Sequence, residues 1–201
     1  MNLKPYDAFI FDLDGTLFTI PVDWTAARQA IAQLAGEELE GKPLFPTLRR
    51  VTIARPEVKG LLFANLDVFE VAAVEGSRPI NGAMELLDSI VPPARIALVT
   101  MQGLKACSAV LGRHGVAGKF SAIFTREYSL DRREQLLRAT TALSVSPQAS
   151  LFVGDRNDDV IAAKGAGIDI ALMGRSNAEG VNPTYAFRTL GELKESLSPA
   201  A

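Results

Sequence analysis

The sequence predicts an α/β fold, a doubly wound parallel sheet with a small helical insertion after the first strand, from three observations. Short apolar runs of strand length recur along the chain: AFIFDL (8–13), RIALVT (95–100), ASLFVG (149–154) and IDIALM (168–173). Segments with helical spacing separate them, and continuous apolar strands alternating with helices belong to sheets covered on both faces. Only the stretch from about Phe18 to Arg78 breaks the alternation, reading as helices with no strand between them.

In chain order, AFIFDL supplies the first strand. Within the insertion, VDWTAARQAIAQLAG has Asp23 as a helix N-cap and Gly36 as a stop. PEVKGLLFANLDVFEVAAVEG places Val58, Leu61, Leu62, Leu66 and Phe69 on one face, and KPLFP (42–46) reads as the connector. After RIALVT, QGLKACSAVLGRHGV is a helix ending on Gly115, and SAIFT is a fifth short strand. RREQLLRATTALSV is a further amphipathic helix, before the last two apolar runs. The insertion spans residues 18–78, and 1–17 with 79–201 form the main domain.

At 201 residues and 48% hydrophobic content the chain can bury a core of its own. With 21 Lys+Arg against 23 Asp+Glu there is no basic surplus for a nucleic-acid backbone, so no nucleic-acid partner is expected. No apolar run is long enough to span a bilayer and no signal-like segment opens the chain, so no membrane partner is expected either. The single Cys107 excludes an intramolecular disulfide and fits a reducing, cytoplasmic setting. A monomer and a homodimer are both compatible with these features.

The chemistry lies in aspartates at strand ends, where sites of such sheets are found. In FIFDLDGTLF, Asp12 and Asp14 are two apart and so share a side, Gly15 permits a tight turn and Thr16 adds a hydroxyl. VGDRNDDVIAAKGAG brings Asp155 to a strand tip, with Asp158 and Asp159 in the helical turn that follows. Like charges about 4 Å apart repel by roughly 4 kcal/mol at intermediate dielectric. Converging aspartates therefore call for a cation, and oxygen ligands beside a substrate phosphate select Mg²⁺.

DLDGT after an apolar strand, Thr100 closing a second and GDRNDD after a later one resemble the haloacid dehalogenase-like superfamily, in order and spacing over nearly the whole chain. The resemblance implies a Rossmann-like core, a helical cap at 18–78, and a phosphatase acting on small phosphomonoesters through an aspartyl-phosphate. It makes Asp12 the nucleophile and Asp14 the acid–base. Thr100 with the backbone amides of Met101 and Gln102 would hold the phosphoryl group, and Gly15 and Thr16 would line the substrate's place. Asp12, Asp14 (through its carbonyl), Asp155 and Asp159 would serve Mg²⁺, with Asp158 the weaker of its pair.

The family's usual lysine before the GD motif is missing, and either Arg132 or Arg133 in SLDRREQLL stands in its place, with Lys105 and Lys119 as fallbacks. Arg49, Arg50, Arg55 and Lys59 make the insertion locally basic, consistent with a phosphoglycolate-like or sugar-phosphate substrate. His114, Cys107 and Trp24 read as structural. A phosphomutase on the same core and a non-catalytic binding protein are the competing readings, although the latter would be expected to lose Asp12 or Asp14 first.

Overall fold

A computed structural model describes residues 3–90, 92–174 and 180–197, so the ends of the main domain at 1–2 and 198–201 lie outside the described residues. The chain runs β1 (Ala8–Phe11), β2 (Phe18–Thr19), α1 (Trp24–Ala35), α2 (Leu44–Ala54), α3 (Lys59–Ala72), β3 (Arg78–Pro79), α4 (Ala83–Ser89) and β4 (Arg95–Val99). It continues with α5 (Leu104–Arg113), β5 (Ala122–Phe124), α6 (Arg132–Leu143), β6 (Ser150–Gly154), α7 (Asn157–Ala166), β7 (Asp169–Met173), β8 (Tyr185–Phe187) and α8 (Leu190–Ser196). Six strands form one parallel sheet in the order β5-β4-β1-β6-β7-β8. β1 is therefore flanked by β4 and β6, and all three deliver their C-terminal tips to the same edge.

Period-two alternation divides the strand side chains between two cores. Phe9, Phe11, Leu98 and Val153 face a cluster with Leu86, Cys107, Val110 and Leu193 from α4, α5 and α8. Ala8, Ile10, Val99 and Phe152 face the opposite cluster with Leu136, Ala139 and Val160 from α6 and α7. The central strands β1, β4 and β6 are thus buried on both faces, the reason their runs are continuously apolar. Cys107 lies fully inside the first cluster, where burial pushes its thiol up to about 12.

The insertion has a core of its own, built on Ala27, Ile31, Leu48, Val51, Leu62 and Leu66. Asp23 caps α1, accepting from the Ala26 N–H at 2.9 Å, and Gly36 ends it in the left-handed conformation at φ 61°. Three expectations need correction. KPLFP is not all connector, because Leu44 opens the unexpected helix α2; Pro46 sits in its first turn, where a missing N–H breaks no helical bond. Leu61 is 55% exposed while Phe63 is buried, because the inward face of α3 runs through Leu62, Phe63, Leu66 and Glu70, one position round from the expected stripe. The region is also not free of strands: β2 pairs antiparallel with β3, Phe18 opposite Pro79, and ties the two chain crossings together. Among the described residues no helix is long and apolar enough to cross a membrane.

Candidate active site

Asp12 directly extends β1, its N–H donating to the Val153 carbonyl of β6 at 3.0 Å, and its side chain is buried. Thr100 extends β4 and donates from its N–H to Phe124 O at 2.9 Å. Its carbonyl accepts from Gln135 Nε2 of α6 at 3.0 Å. Asp155 follows β6 and turns toward the loop after β1, where Thr16 Oγ1 lies 3.5 Å from its Oδ1. Asp14 Oδ1 accepts from the Ile20 N–H at 2.9 Å, so the segment entering the insertion holds this carboxylate. Parallel strand neighbours thus bring residues over 80 positions apart in sequence to one edge.

One guanidinium stands among these acids. Arg132 Nη2 is 2.7 Å from Asp12 Oδ1, and its Nε is 3.3 Å from Asp159 Oδ1. Burial pushes the Asp12 carboxyl up to about 8; Arg132 opposes the rise, and Asp159, Asp155 and Asp14 add to it. Asp14 is raised to about 6, chiefly by burial, with the Ile20 N–H pulling the other way. Burial and then Asp159 raise Asp155 as well. Burial alone would lower Arg132, but Asp12 and Asp159 outweigh it and hold the charge firmly in place. The acids at this edge outnumber the guanidinium packed among them, so burial and mutual repulsion make Asp12, Asp14 and Asp155 harder to ionise.

Among the described residues no three His, Cys, Asp or Glu side chains are grouped closely enough to hold an ion by themselves. Asp159 is already engaged on both oxygens, Oδ1 by Arg132 and Oδ2 by the Arg156 N–H at 3.2 Å. Asp12 and Asp155, with the Asp14 carbonyl, remain as oxygen donors. That set fits a hard ion which keeps several waters and takes its other ligands from substrate phosphate.

Above these residues a cavity of about 870 Å³ opens toward the insertion. Asp12, Asp14, Thr100, Met101, Gln102 and Arg132 border it below, and Trp24, Leu44, Phe45 and Ile53 supply an apolar wall. The match to protein-family models is decisive: residues 9–173 fit the model described as haloacid dehalogenase-like hydrolase. The chain belongs to the haloacid dehalogenase-like hydrolase family. A curated relative, N-acetylmuramic acid 6-phosphate phosphatase of Pseudomonas aeruginosa, is 28% identical over 189 residues, covering 86% of this chain and 82% of that protein. Phosphoglycolate phosphatase of Xylella fastidiosa is 26% identical over 206 residues, covering 94% and 90%. The fold is shared with YfnB of Bacillus subtilis, solved bound to magnesium, at a TM-score of 0.63 and 21% identity, covering 98% of this chain and 100% of that one.

Within this haloacid dehalogenase-like hydrolase, the basic candidates separate cleanly. Arg132 reaches Asp12, whereas Arg133 points away and donates from Nε to the Gly165 carbonyl of α7 at 2.7 Å. Arg132 is in phase with the buried Leu136, Ala139 and Leu143 of α6, on the side of the helix that lies against the sheet. Lys105 pairs with Asp67 and Lys119 with Asp88, both outside the cavity lining. In the insertion, Arg49 and Arg50 border the cavity, but Arg55 is bound to the Ala35 carbonyl and Lys59 lies over the Phe63 ring.

The backbone amides also differ from expectation. The Gln102 N–H donates to Thr100 Oγ1 at 3.1 Å and is occupied within its own loop. The Met101 N–H has no acceptor among the described residues. Asp158 is exposed at the cavity rim. His114 sits by Ser77 Oγ at 3.0 Å and against the Phe18 ring, a structural setting at the β2–β3 ribbon. Sequence reasoning missed Gln135, whose buried amide bridges Thr100 O and Ser129 O. A glutamine in register with an apolar stripe is the signal it offered.

Gly15 has φ +87°, and a Cβ there would lie 2.4 Å from Asp155 Oδ2. Gly15→Ala should therefore combine a left-handed backbone penalty of about 1–2 kcal/mol with displacement of Asp155. Steady-state assays are expected to register a fall of about 100-fold in kcat/KM. An alanine variant that keeps wild-type turnover would show that Asp155 need not approach this turn.

Proposed function

We propose that the protein is a Mg²⁺-dependent phosphatase of small phosphomonoesters that carries the phosphoryl group on Asp12. The observation supporting this most directly is the meeting of Asp12, Thr100 and Asp155 at the tips of β1, β4 and β6 with Arg132 among them. Residues 18–78 serve as the cap over this edge. The lone buried thiol of Cys107 suits a reducing cytoplasm.

In this mechanism Asp12 attacks phosphorus as the carboxylate, and the ester P–O bond breaks as Asp14 gives its proton to the departing alkoxide. Asp14, raised to about 6, can hold that proton near neutrality. Asp14 then takes a proton from the water that attacks the Asp12 phosphoryl ester, releasing inorganic phosphate and restoring the carboxylate. Arg132, the Thr100 hydroxyl and the Met101 N–H stabilise charge on the equatorial oxygens. Asp12, Asp155 and the Asp14 carbonyl would hold Mg²⁺, which would supply charge neutralisation between the two anions when bound. Asp159 orients Arg132.

The cavity favours a sugar phosphate over phosphoglycolate. Its 870 Å³ lies near the top of the roughly 300–1,000 Å³ range that accommodates drug-sized ligands, far more than a two-carbon acid fills. Its apolar wall and the guanidinium groups of Arg28, Arg49 and Arg156 suit a larger leaving group with both apolar and anionic parts. Of the substrates named for the two relatives, the phosphorylated amino-sugar acid fits this description better.

Phosphate release from a panel of esters, with Mg²⁺ and with EDTA, tests the reading. The panel should contain N-acetylmuramic acid 6-phosphate, hexose 6-phosphates, phosphoglycolate and p-nitrophenyl phosphate. Release is expected only with the metal, and the sugar phosphates should rank ahead of phosphoglycolate. The opposite ranking would overturn the substrate assignment. An absence of release from every ester would overturn the phosphatase reading itself.

A further inference from the structure

Arg126, in the loop after β5, is the largest fully buried side chain among the described residues. Its Nη1 donates to Glu70 Oε1 at 2.5 Å and to the Met101 carbonyl at 3.4 Å. Its Nη2 donates to Asp67 Oδ1 at 2.5 Å and to the Phe63 carbonyl at 3.3 Å. Glu70 is itself fully buried, and its second oxygen accepts from the Gly103 N–H at 2.9 Å. Asp67, Glu70 and Phe63 belong to α3 of the cap, whereas Met101 and Gly103 belong to the loop that follows Thr100. One buried ionic cluster therefore joins three separate pieces of chain.

The loop is shaped to admit this cluster. A Cβ on Gly103 would lie 2.4 Å from Asp67 Oδ1 and 2.5 Å from Arg126 Nη2, although the residue's φ of −70° is open to any amino acid. Glycine is needed here for space. Stability alone does not account for the arrangement, because two acids and one guanidinium are desolvated and Arg126 Nε makes no hydrogen bond, with only Glu127 Oε1 near it at 4.0 Å. Apolar residues of similar volume commonly stabilise such positions as well or better. What charge adds is direction: the cluster fixes the Met101 carbonyl and the Gly103 N–H on either side of Gln102.

We infer that Arg126, with Glu70 and Asp67, is a positioning residue that ties the Thr100–Gly103 loop to cap helix α3, so that this loop takes its working geometry only with the cap docked. The inference rests on the phosphatase reading for its kinetic consequences. It contacts the phosphoryl site only through the loop, with Arg126 and Glu70 themselves absent from the cavity lining. Cap docking and phosphoryl binding are then linked through a network that both sides share.

The test compares the wild-type full chain with the double variant Arg126→Met/Glu70→Leu, which removes the charges together and leaves none unpaired on those two side chains. Hydrogen exchange should accelerate at least about tenfold in the Met101–Leu104 segment, with β1 and β4 unchanged. With p-nitrophenyl phosphate and Mg²⁺, kcat per folded molecule should fall by about 100-fold, and inhibition by inorganic phosphate should weaken. If the double variant does not fold, Arg126→Lys serves, since an ammonium cannot fork onto Glu70 and Asp67 together; an intermediate loss is then expected. Wild-type exchange and wild-type kcat in either folded variant would overturn the inference, as would a loss matching the unfolded fraction alone. A wild-type chain without turnover would count against the phosphatase reading, while the exchange measurement would still decide the tether.

Discussion

Asp12→Asn is expected to lower turnover by on the order of 10⁴-fold or more, the scale seen when a covalent nucleophile is removed, and to leave the fold intact. The carboxamide is nearly isosteric, so the extension of β1 toward Val153 and the surrounding packing should persist. Stability should even rise at alkaline pH in metal-free buffer. A carboxyl whose folded pKa is about 8, against about 3.8 when exposed, binds more protons folded than unfolded between those values. Its contribution to stability is therefore greatest below about pH 4 and is lost as pH rises through about 8. Asparagine has no such loss. Thermal unfolding with EDTA at pH 5 and pH 9 should show a shallower decline for the variant, and turnover within tenfold of wild type would remove Asp12 from the nucleophile's role.

Arg132→Met carries the second large effect. It deletes the guanidinium that faces both Asp12 and Asp159 and leaves these carboxylates buried without compensation. Removing one partner of a buried pair typically costs about 3–5 kcal/mol, which for a chain of this size corresponds to a midpoint lower by about 10 °C. The loss should be largest at pH 9, where Asp12 is ionised in the native protein. It should shrink at pH 5, where Asp12 already holds its proton. Turnover should drop together with stability, because the phosphoryl group loses its fixed cation. By contrast, Arg133→Met severs only the Gly165 contact and should retain turnover. Equal midpoint losses at the two pH values would show that Arg132 supports the fold by packing rather than by charge.

These expectations distinguish what each level of description supplies. Runs such as AFIFDL and ASLFVG are buried on both faces, so they are continuously apolar, and both their strand character and the parallel sheet were readable from the length of these runs and their alternation with helical segments. The aspartates interrupting them at their C-terminal ends stood out for the same physical reason: a charge beside a core strand is costly unless it has a task. Asp12, Asp14 and Asp155 were therefore legible as a set, and Thr100 joined them only through the resemblance to the family.

Other features depend on docking angles and distant partners, and the linear chain does not contain them. Adjacent residues of a helix point about 100° apart, so whether Arg132 or Arg133 faces Asp12 is settled by how α6 lies on the sheet. The engagement of Asp159 by Arg132 and Arg156, the extent of the cavity and the start of α2 at Leu44 have the same origin. Arg126 is the extreme case: its burial makes sense only once α3, the Thr100–Gly103 loop and the turn after β5 are side by side. By itself the sequence determined the layered α/β frame and the carboxylate edge, because burial and charge act residue by residue. Only the tertiary structure decided which guanidinium reaches Asp12 and how α3 is joined to the loop after Thr100, because those contacts are made by geometry between elements remote in the chain.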